Sequence, residues 1–491
     1  MAGLILSAPL WALPCEQLQS LEIQDMTVTL AQHVEVGAFR PAVGDSAPFL
    51  HLPAFCRVAA TLRPASDSEI QVEIWLPEPS AWNGKYEAVG NGGWGGSLNY
   101  GDMAAALLRR YASSSTDTGH TGGRASFAVG HPEKLIDFGY RSIHEMTVAA
   151  KAVIAAFYRK GAALSYFAGC SSGGRQALME AQRFPDDYDG IVAGATTNNW
   201  TKLMFGRIWV AQATLSDPAG YVPPSQYPMI HQAVLAACDA IDGVKDGVLE
   251  DPTRCRFDPV SLECKAGAGP ACLTQAQAQA VRRIYTPATN PVTHEEIFPA
   301  MERGSELVWG TLAGGPRPIL LADDYFRYVV FENPNWDFRT LRFDTDLQQA
   351  LQRDGGVLSA TSPDLRKFFA HGGKLIQYHG WTDQQVMPRN SIQYYESVKK
   401  VMGANTGASY RLFMVPGMNH CHGGDGTDTF DLLSVLEAWR EHGKAPDAIR
   451  ASHLENGKVD RTRPLCPYPE VSHYRGVGST DEAANFSCIA P

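Results

Sequence analysis

Five residues, Gly169-Cys170-Ser171-Ser172-Gly173, constrain this chain more than any other stretch. The apolar run Leu164–Ala168 precedes them, and a helical pattern over Arg175–Phe184 follows and stops at Pro185. A G-x-S-x-G sequence between strand and helix is a sharp turn that exposes a serine hydroxyl at the top of a sheet. The next run, Gly190–Ala193, begins another strand. This strand, elbow, helix and strand order is the setting such a turn requires, and it points to an α/β core.

Two further loops follow apolar runs in the second half of the chain. Lys374–Tyr378 reads as a buried strand leading into His379-Gly380-Trp381-Thr382-Asp383. Tyr410–Val415 reads as a strand leading into Gly417-Met418-Asn419-His420-Cys421. Ser171, Asp383 and His420 therefore occur in the chain order of an α/β-hydrolase triad. A serine hydroxyl is a weak nucleophile until a base takes its proton. His420 is the candidate base, and Asp383 the group that orients its ring and stabilises its cationic form. Asp337, Asp344 and Asp354 compete poorly because none follows a clear strand, and His379 reads as a structural neighbour of Asp383. For an oxyanion, the Ser172 N–H is one candidate donor. Gly93, with Gly92 close behind, is the other, in the glycine-rich loop Gly90–Gly96 after the strand Lys85–Val89.

A cysteine adjoins both the nucleophile and the base. If Ser171 and His420 meet, Cys170 and Cys421 are carried together, and a disulfide would clamp one to the other. The remaining eight of ten cysteines are Cys15, Cys56, Cys238, Cys255, Cys264, Cys272, Cys466 and Cys488. None forms C-x-x-C or a zinc-finger spacing, so disulfides are the expected use, and with them a secreted or periplasmic protein. The apolar stretch Leu4–Leu13 resembles the hydrophobic and cleavage regions of a signal peptide, although a basic start is missing.

A formal charge of −10 argues against polyanion binding, and no stretch of about 20 apolar residues offers a membrane span. Residues 20–76 look β-rich, and Arg141–Lys160 carries apolar residues at helical spacing. From about Thr197 to Pro363 the strand–helix rhythm breaks into Pro, Gly, paired cysteines and aromatics. The expected organisation is a signal-peptide remnant at 1–14, a catalytic domain of 15–196 with 364–491, and an inserted lid at 197–363. Residues from about Pro464 read as a loop closed by Cys466 and Cys488. In the lid, Cys238–Asp251 sets carboxylates at 239, 242 and 246 among glycines. Such hard oxygen donors suit Ca²⁺, and they equally suit an acidic solvated turn, because the spacing is not that of an EF-hand.

The whole pattern resembles the tannase and feruloyl esterase family. Gly169–Arg175 matches its G-C-S-x-G-G-R elbow, His379–Asp383 its H-G-x-x-D loop, and Asn419–Cys421 its N-H-C end. The resemblance implies an α/β-hydrolase core with a large inserted lid and a Cys170–Cys421 bond. It further implies bonds Cys15–Cys56, Cys238–Cys255, Cys264–Cys272 and Cys466–Cys488. It assigns a structural Ca²⁺ to Asp239, Asp242, Asp246 and the carbonyls of Val244 and Val248. Relatives often carry a larger or acidic residue where this chain has Ser172, which leaves the backbone donor intact. The implied activity is hydrolysis of small aromatic esters, free or attached to plant polymer. Feruloyl esters lead, with galloyl or terephthalate monoesters as alternatives and a catalytically silent binding protein as the different class. Trp309, Tyr325, Phe326, Tyr328 and Trp336 could stack on an aromatic acyl group, although aromatics in a lid more often form core.

Overall fold

A computed structural model describes residues 12–42, 44–265 and 271–491. Most of the expected leader therefore lies outside the described residues. Nine strands form one sheet: β1 Met26–Val34, β2 Phe55–Leu62, β3 Ile70–Pro77, β4 Lys85–Val89, β5 Ala112–Thr116, β6 Leu164–Cys170, β7 Gly190–Gly194, β8 Lys374–Gly380 and β9 Tyr410–Val415. Their spatial order is β1-β2-β3-β5-β4-β6-β7-β8-β9. Pairing is antiparallel from β1 to β5 and parallel from β5 through β9. This is an α/β-hydrolase fold.

The two-residue period of the strands sorts side chains onto opposite faces. On β6 to β9, Phe167, Ile191, Ala193, Leu375, Leu412 and Met414 enter one core, whereas Tyr166, Val192, Ile376, Phe413 and Val415 enter another. Six helices matter for these layers and the site: α1 Tyr100–Leu108, α2 Ser142–Tyr158, α3 Ser172–Arg183, α4 Trp200–Leu215, α5 Arg389–Met402 and α6 Leu432–His442. The first face packs against α2, α3 and α5, and the second against α6 and Ala106 of α1. Parallel strands covered on both faces explain why β6 and β7 read as nearly continuous apolar runs.

Adjacent strands β7 and β8 are separated in sequence by a long, mostly helical insertion. Its first helix, α4, buries side chains around its whole circumference, from Trp200 to Thr214, and seeds a core separate from those on the sheet. Trp309, Tyr325, Phe326 and Trp336 are buried in that core, and Tyr328 packs against it. The C-terminal segment departs from the sequence reading. The segment from about Pro464 is not all loop: Val471–Tyr474 pairs with Phe486–Ile489, and just ahead of it Ile449–Glu455 pairs with Lys458–Leu465. The alternation there is blurred by exposed polar residues and a Pro, which hid the strands. All ten cysteines are bonded in the five pairs the resemblance implied.

Candidate active site

Ser171 stands between β6 and α3 with φ +62° and ψ −120°, a conformation that costs a non-glycine residue energy. The surroundings hold it there. Its N–H donates to Gly194 O at 3.0 Å, and its carbonyl accepts from Arg175 N at 3.1 Å. The turn is tight enough that a Cβ on Gly169 would lie 2.6 Å from the Gly173 backbone, so only glycine fits. Ser171 precedes the helix but makes no side-chain cap, so its hydroxyl is not consumed by the helix terminus.

Asp383 and His420 leave the ends of β8 and β9, whose parallel pairing carries the two loops side by side. Asp383 Oδ2 accepts from His420 Nδ1 at 2.7 Å. That contact places the ring proton on Nδ1 and leaves the Nε2 lone pair free to act as a base. The backbone N–H of His420 donates to Gln384 Oε1 at 3.1 Å, so consecutive residues hold the ring and the main chain. Gly380 permits this approach, since a Cβ there would sit 2.1 Å from Met418 O. Burial pushes the Asp383 carboxyl upward, but the His420 charge and hydrogen bonds from His379 and His420 outweigh it and hold the group below the usual range. Its second oxygen, Oδ1, accepts the N–H groups of Gln385 and Val386 at 2.7 and 2.9 Å.

His379 is buried, and its nitrogens are occupied. Nε2 donates to Asp383 Oδ2 at 3.1 Å and to Val386 O at 3.0 Å, while Nδ1 meets Ser391 Oγ at 2.7 Å. It braces Asp383 from below. The Cys170–Cys421 disulfide spans 6.0 Å between Cα atoms. With one 3.8 Å peptide step on each side, the Ser171 and His420 Cα atoms lie no more than about 14 Å apart.

Ser172 opens α3, so its N–H belongs to the first-turn donors that have no acceptor within the helix. Its hydroxyl donates to Gly93 O at 2.6 Å, and Gly93 has φ +56°. The two candidate oxyanion donors are thus tied together through a side chain, a link invisible in the sequence. Asn91 anchors the same loop, donating to Ser97 O and Thr116 O, while its own N–H donates to Gln176 Oε1 of α3 at 2.9 Å. From the insertion, Leu321 reaches within 3.6 Å of where a Gly93 Cβ would stand.

Residues 56–489 match the family model described as tannase and feruloyl esterase. The chain belongs to the tannase and feruloyl esterase family. An uncharacterized esterase of Xanthomonas campestris pv. campestris is 38% identical, over 99% of this chain and 93% of that protein. A probable feruloyl esterase B-1 of Aspergillus flavus is 35% identical, over 88% of this chain and 86% of its own length. The crystal structure of feruloyl esterase B from Aspergillus oryzae superposes with a TM-score of 0.91 at 32% identity, covering 97% of this chain and 99% of that one. This family member is a carboxylic ester hydrolase.

Sequence reasoning missed several supports of the esterase site. Arg207, buried on α4, donates from Nε to Gln385 O at 2.9 Å. Burial lowers its guanidinium to about 10 against the opposing pull of Asp383, so it stays cationic at neutral pH. A lone Arg in an apolar helix was its only signal. Arg175 donates from α3 to Phe138 O, Gly139 O and Leu358 O and faces the Phe138 and Trp200 rings, which is an architectural use.

In the acidic loop, Asp242, Val244, Asp246 and Val248 line one cavity together with Arg461 and Arg463. Asp239 accepts the N–H groups of Asp246 and Gly247, Asp242 that of Val244, and Asp246 that of Val248. Arg463 also donates to Asp246 at 2.6 Å. Burial and the neighbouring Asp246 and Asp239 charges raise the Asp242 carboxyl. Gathered hard oxygens of this kind fit Ca²⁺. Among the described residues, no three of these carboxylates bring oxygens within 4.8 Å of one another. An ion held there would have to draw these carboxylates together, Asp246 away from Arg463.

Proposed function

We propose that this esterase hydrolyses esters of aromatic carboxylic acids, feruloyl esters foremost, through an acyl-enzyme on Ser171. The observation that carries the reading is the 2.7 Å Asp383–His420 contact on a loop bonded to the residue before Ser171. His420 Nε2 takes the Ser171 proton as Oγ attacks the ester carbonyl carbon. The N–H groups of Ser172 and Gly93 receive the oxygen as it becomes negative. Collapse of the tetrahedral species expels the alkoxide, which takes the proton from His420. Water, deprotonated by the same ring, then attacks the acyl-serine and releases the acid.

The feruloyl preference rests on the relatives named above. Asp239, Asp242, Asp246, Val244 and Val248 would hold a Ca²⁺ that neutralises their shared negative charge, leaving the chemistry to the triad. We place the protein in a secreted or periplasmic compartment, because all ten cysteines are bonded. Ester turnover measured on methyl ferulate, methyl gallate and a terephthalate monoester tests substrate class. A best rate on gallate or terephthalate would overturn the feruloyl preference. Fluorophosphonate labelling of the wild type, lost in Ser171→Ala, separates an enzyme from a silent binder. Absence of labelling at Ser171 would overturn the mechanism.

A further inference from the structure

At the far end of the nucleophile helix, three side chains from three segments converge. His144 lies in the first turn of α2, Glu180 near the end of α3, and Asp187 in the loop before β7. Their ligand atoms all lie within 4.8 Å of one another, and among the described residues this is the one His/Cys/Asp/Glu group that does so. His144 Nδ1 meets Asp187 Oδ2 at 2.7 Å, and the His144 ring stacks on Phe184 at 3.9 Å, which fixes the direction of its nitrogens.

Glu180 is the unusual member. It is 1% exposed, no N–H or hydroxyl group donates to either carboxylate oxygen, and the carboxyl facing it is that of Asp187. Two facing buried carboxylates without donors are costly, and either a shared proton or a bound cation relieves them. The neighbouring cation, Lys151, donates to the Asp187 carbonyl instead. His144 and Asp187 keep part of their side chains in solvent, so the group is reached from outside.

We propose that His144, Glu180 and Asp187 form a site for a divalent transition metal, with Zn²⁺ as the fitting ion. One imidazole nitrogen and two carboxylates suit zinc at distances of about 2.0–2.2 Å, with a water completing four ligands. The imidazole disfavours Ca²⁺ and Mg²⁺, which take oxygen. Such an ion would bind α2, the end of α3 and the β7 approach into one unit. Because α3 begins directly after Ser171, the ion would stiffen the helix that carries the nucleophile turn.

The test is Zn²⁺ titration of the full chain in excess Ca²⁺, followed by calorimetry and by thermal unfolding. His144→Ala and Glu180→Gln are compared with the wild type. The site predicts that the wild type binds one Zn²⁺ which both variants lose, with affinity falling at least about tenfold. It also predicts a zinc-dependent rise in Tm of about 2 °C in the wild type alone. His144 is partly exposed, so His144→Ala folds and decides the matter even where Glu180→Gln does not. Equal zinc binding by the wild type and His144→Ala overturns the site. So does a wild type that binds no zinc; a more stable Glu180→Gln would then mark Glu180 as a neutral acid sharing a proton with Asp187.

Discussion

Replacing both Cys170 and Cys421 by Ala separates what the clamp does for stability from what it does for geometry. These cysteines are 251 positions apart, against 22 for Cys466 and Cys488. In the chain-entropy account, the long loop restrains the unfolded chain by at most about 5 kcal/mol and the short one by about 3 kcal/mol. Stability alone therefore predicts two destabilised variants that differ little at temperatures well below their Tm. The positions of the bonds predict something else. Without Cys421 tethered to Cys170, the His420 loop is held to its neighbours by the 2.7 Å contact to Asp383, the 3.1 Å contact to Gln384 and Thr382 Oγ1 on Asn419 Oδ1. All of these link it to the β8 loop and none to the nucleophile turn. A drift of about 1 Å between base and nucleophile costs about 10²-fold in rate. Cys170→Ala/Cys421→Ala should therefore lose between about 10-fold and 100-fold in kcat on methyl ferulate, with KM moving much less. Cys466→Ala/Cys488→Ala should keep its kcat. Near-UV circular dichroism confirms folding at the assay temperature, and fluorophosphonate labelling reports Ser171 reactivity without substrate binding. A folded Cys170→Ala/Cys421→Ala variant with wild-type kcat and labelling rate would refute the positional argument.

Other perturbations probe the same framework. Ser172→Ala removes the 2.6 Å bond to Gly93 O and should cost about 0.5–1.5 kcal/mol of stability in urea unfolding, with a lower kcat because the Gly93 loop loses its tie to the nucleophile turn. Gly380→Ala puts a methyl 2.1 Å from Met418 O, so the Asp383 and His420 loops must separate. It should cost about 1–3 kcal/mol of stability and most activity, and a wild-type rate would count against the close approach. Glu87 is buried with Oε2 unpartnered, and burial raises its carboxyl to about 8 although the Arg109 charge opposes the rise. Its folded value exceeds the unfolded value of 4.5, so its contribution is complete below that pH and fades as pH rises toward about 8. Glu87→Gln does not titrate. It should therefore gain on the wild type by up to about 5 kcal/mol between those limits, read from chemical unfolding at pH 4.5 and pH 8.

The central strands were legible because β6, β7, β8 and β9 are covered on both faces, which forces short apolar runs bounded by turns. Leu164, Lys374 and Tyr410 start strands where the runs begin. The helix α2 was legible from the spacing of Ile143, Met146, Val153, Ile154 and Phe157. The C-terminal hairpins were not, since one of their strands contains Lys458, Asp460, Arg461 and Pro464 with little apolar alternation. The insertion aromatics were ambiguous for a different reason. Trp309 and Tyr325 have the same composition in a core as at a substrate face, and only their burial in one packed cluster distinguishes the two.

The sequence by itself determined the elbow, the order of Ser171, Asp383 and His420, and the sheet they hang from, because local spacing dictates turns, strands and helices. Only the tertiary structure decided the rest. It set Ser172 against Gly93, left His379 as a brace with both nitrogens occupied, put Arg207 behind the Asp383 loop, and brought Glu180 to His144 and Asp187. These contacts join residues from different elements, and their partners are chosen by how the sheet, helices and insertion pack rather than by any neighbour along the chain.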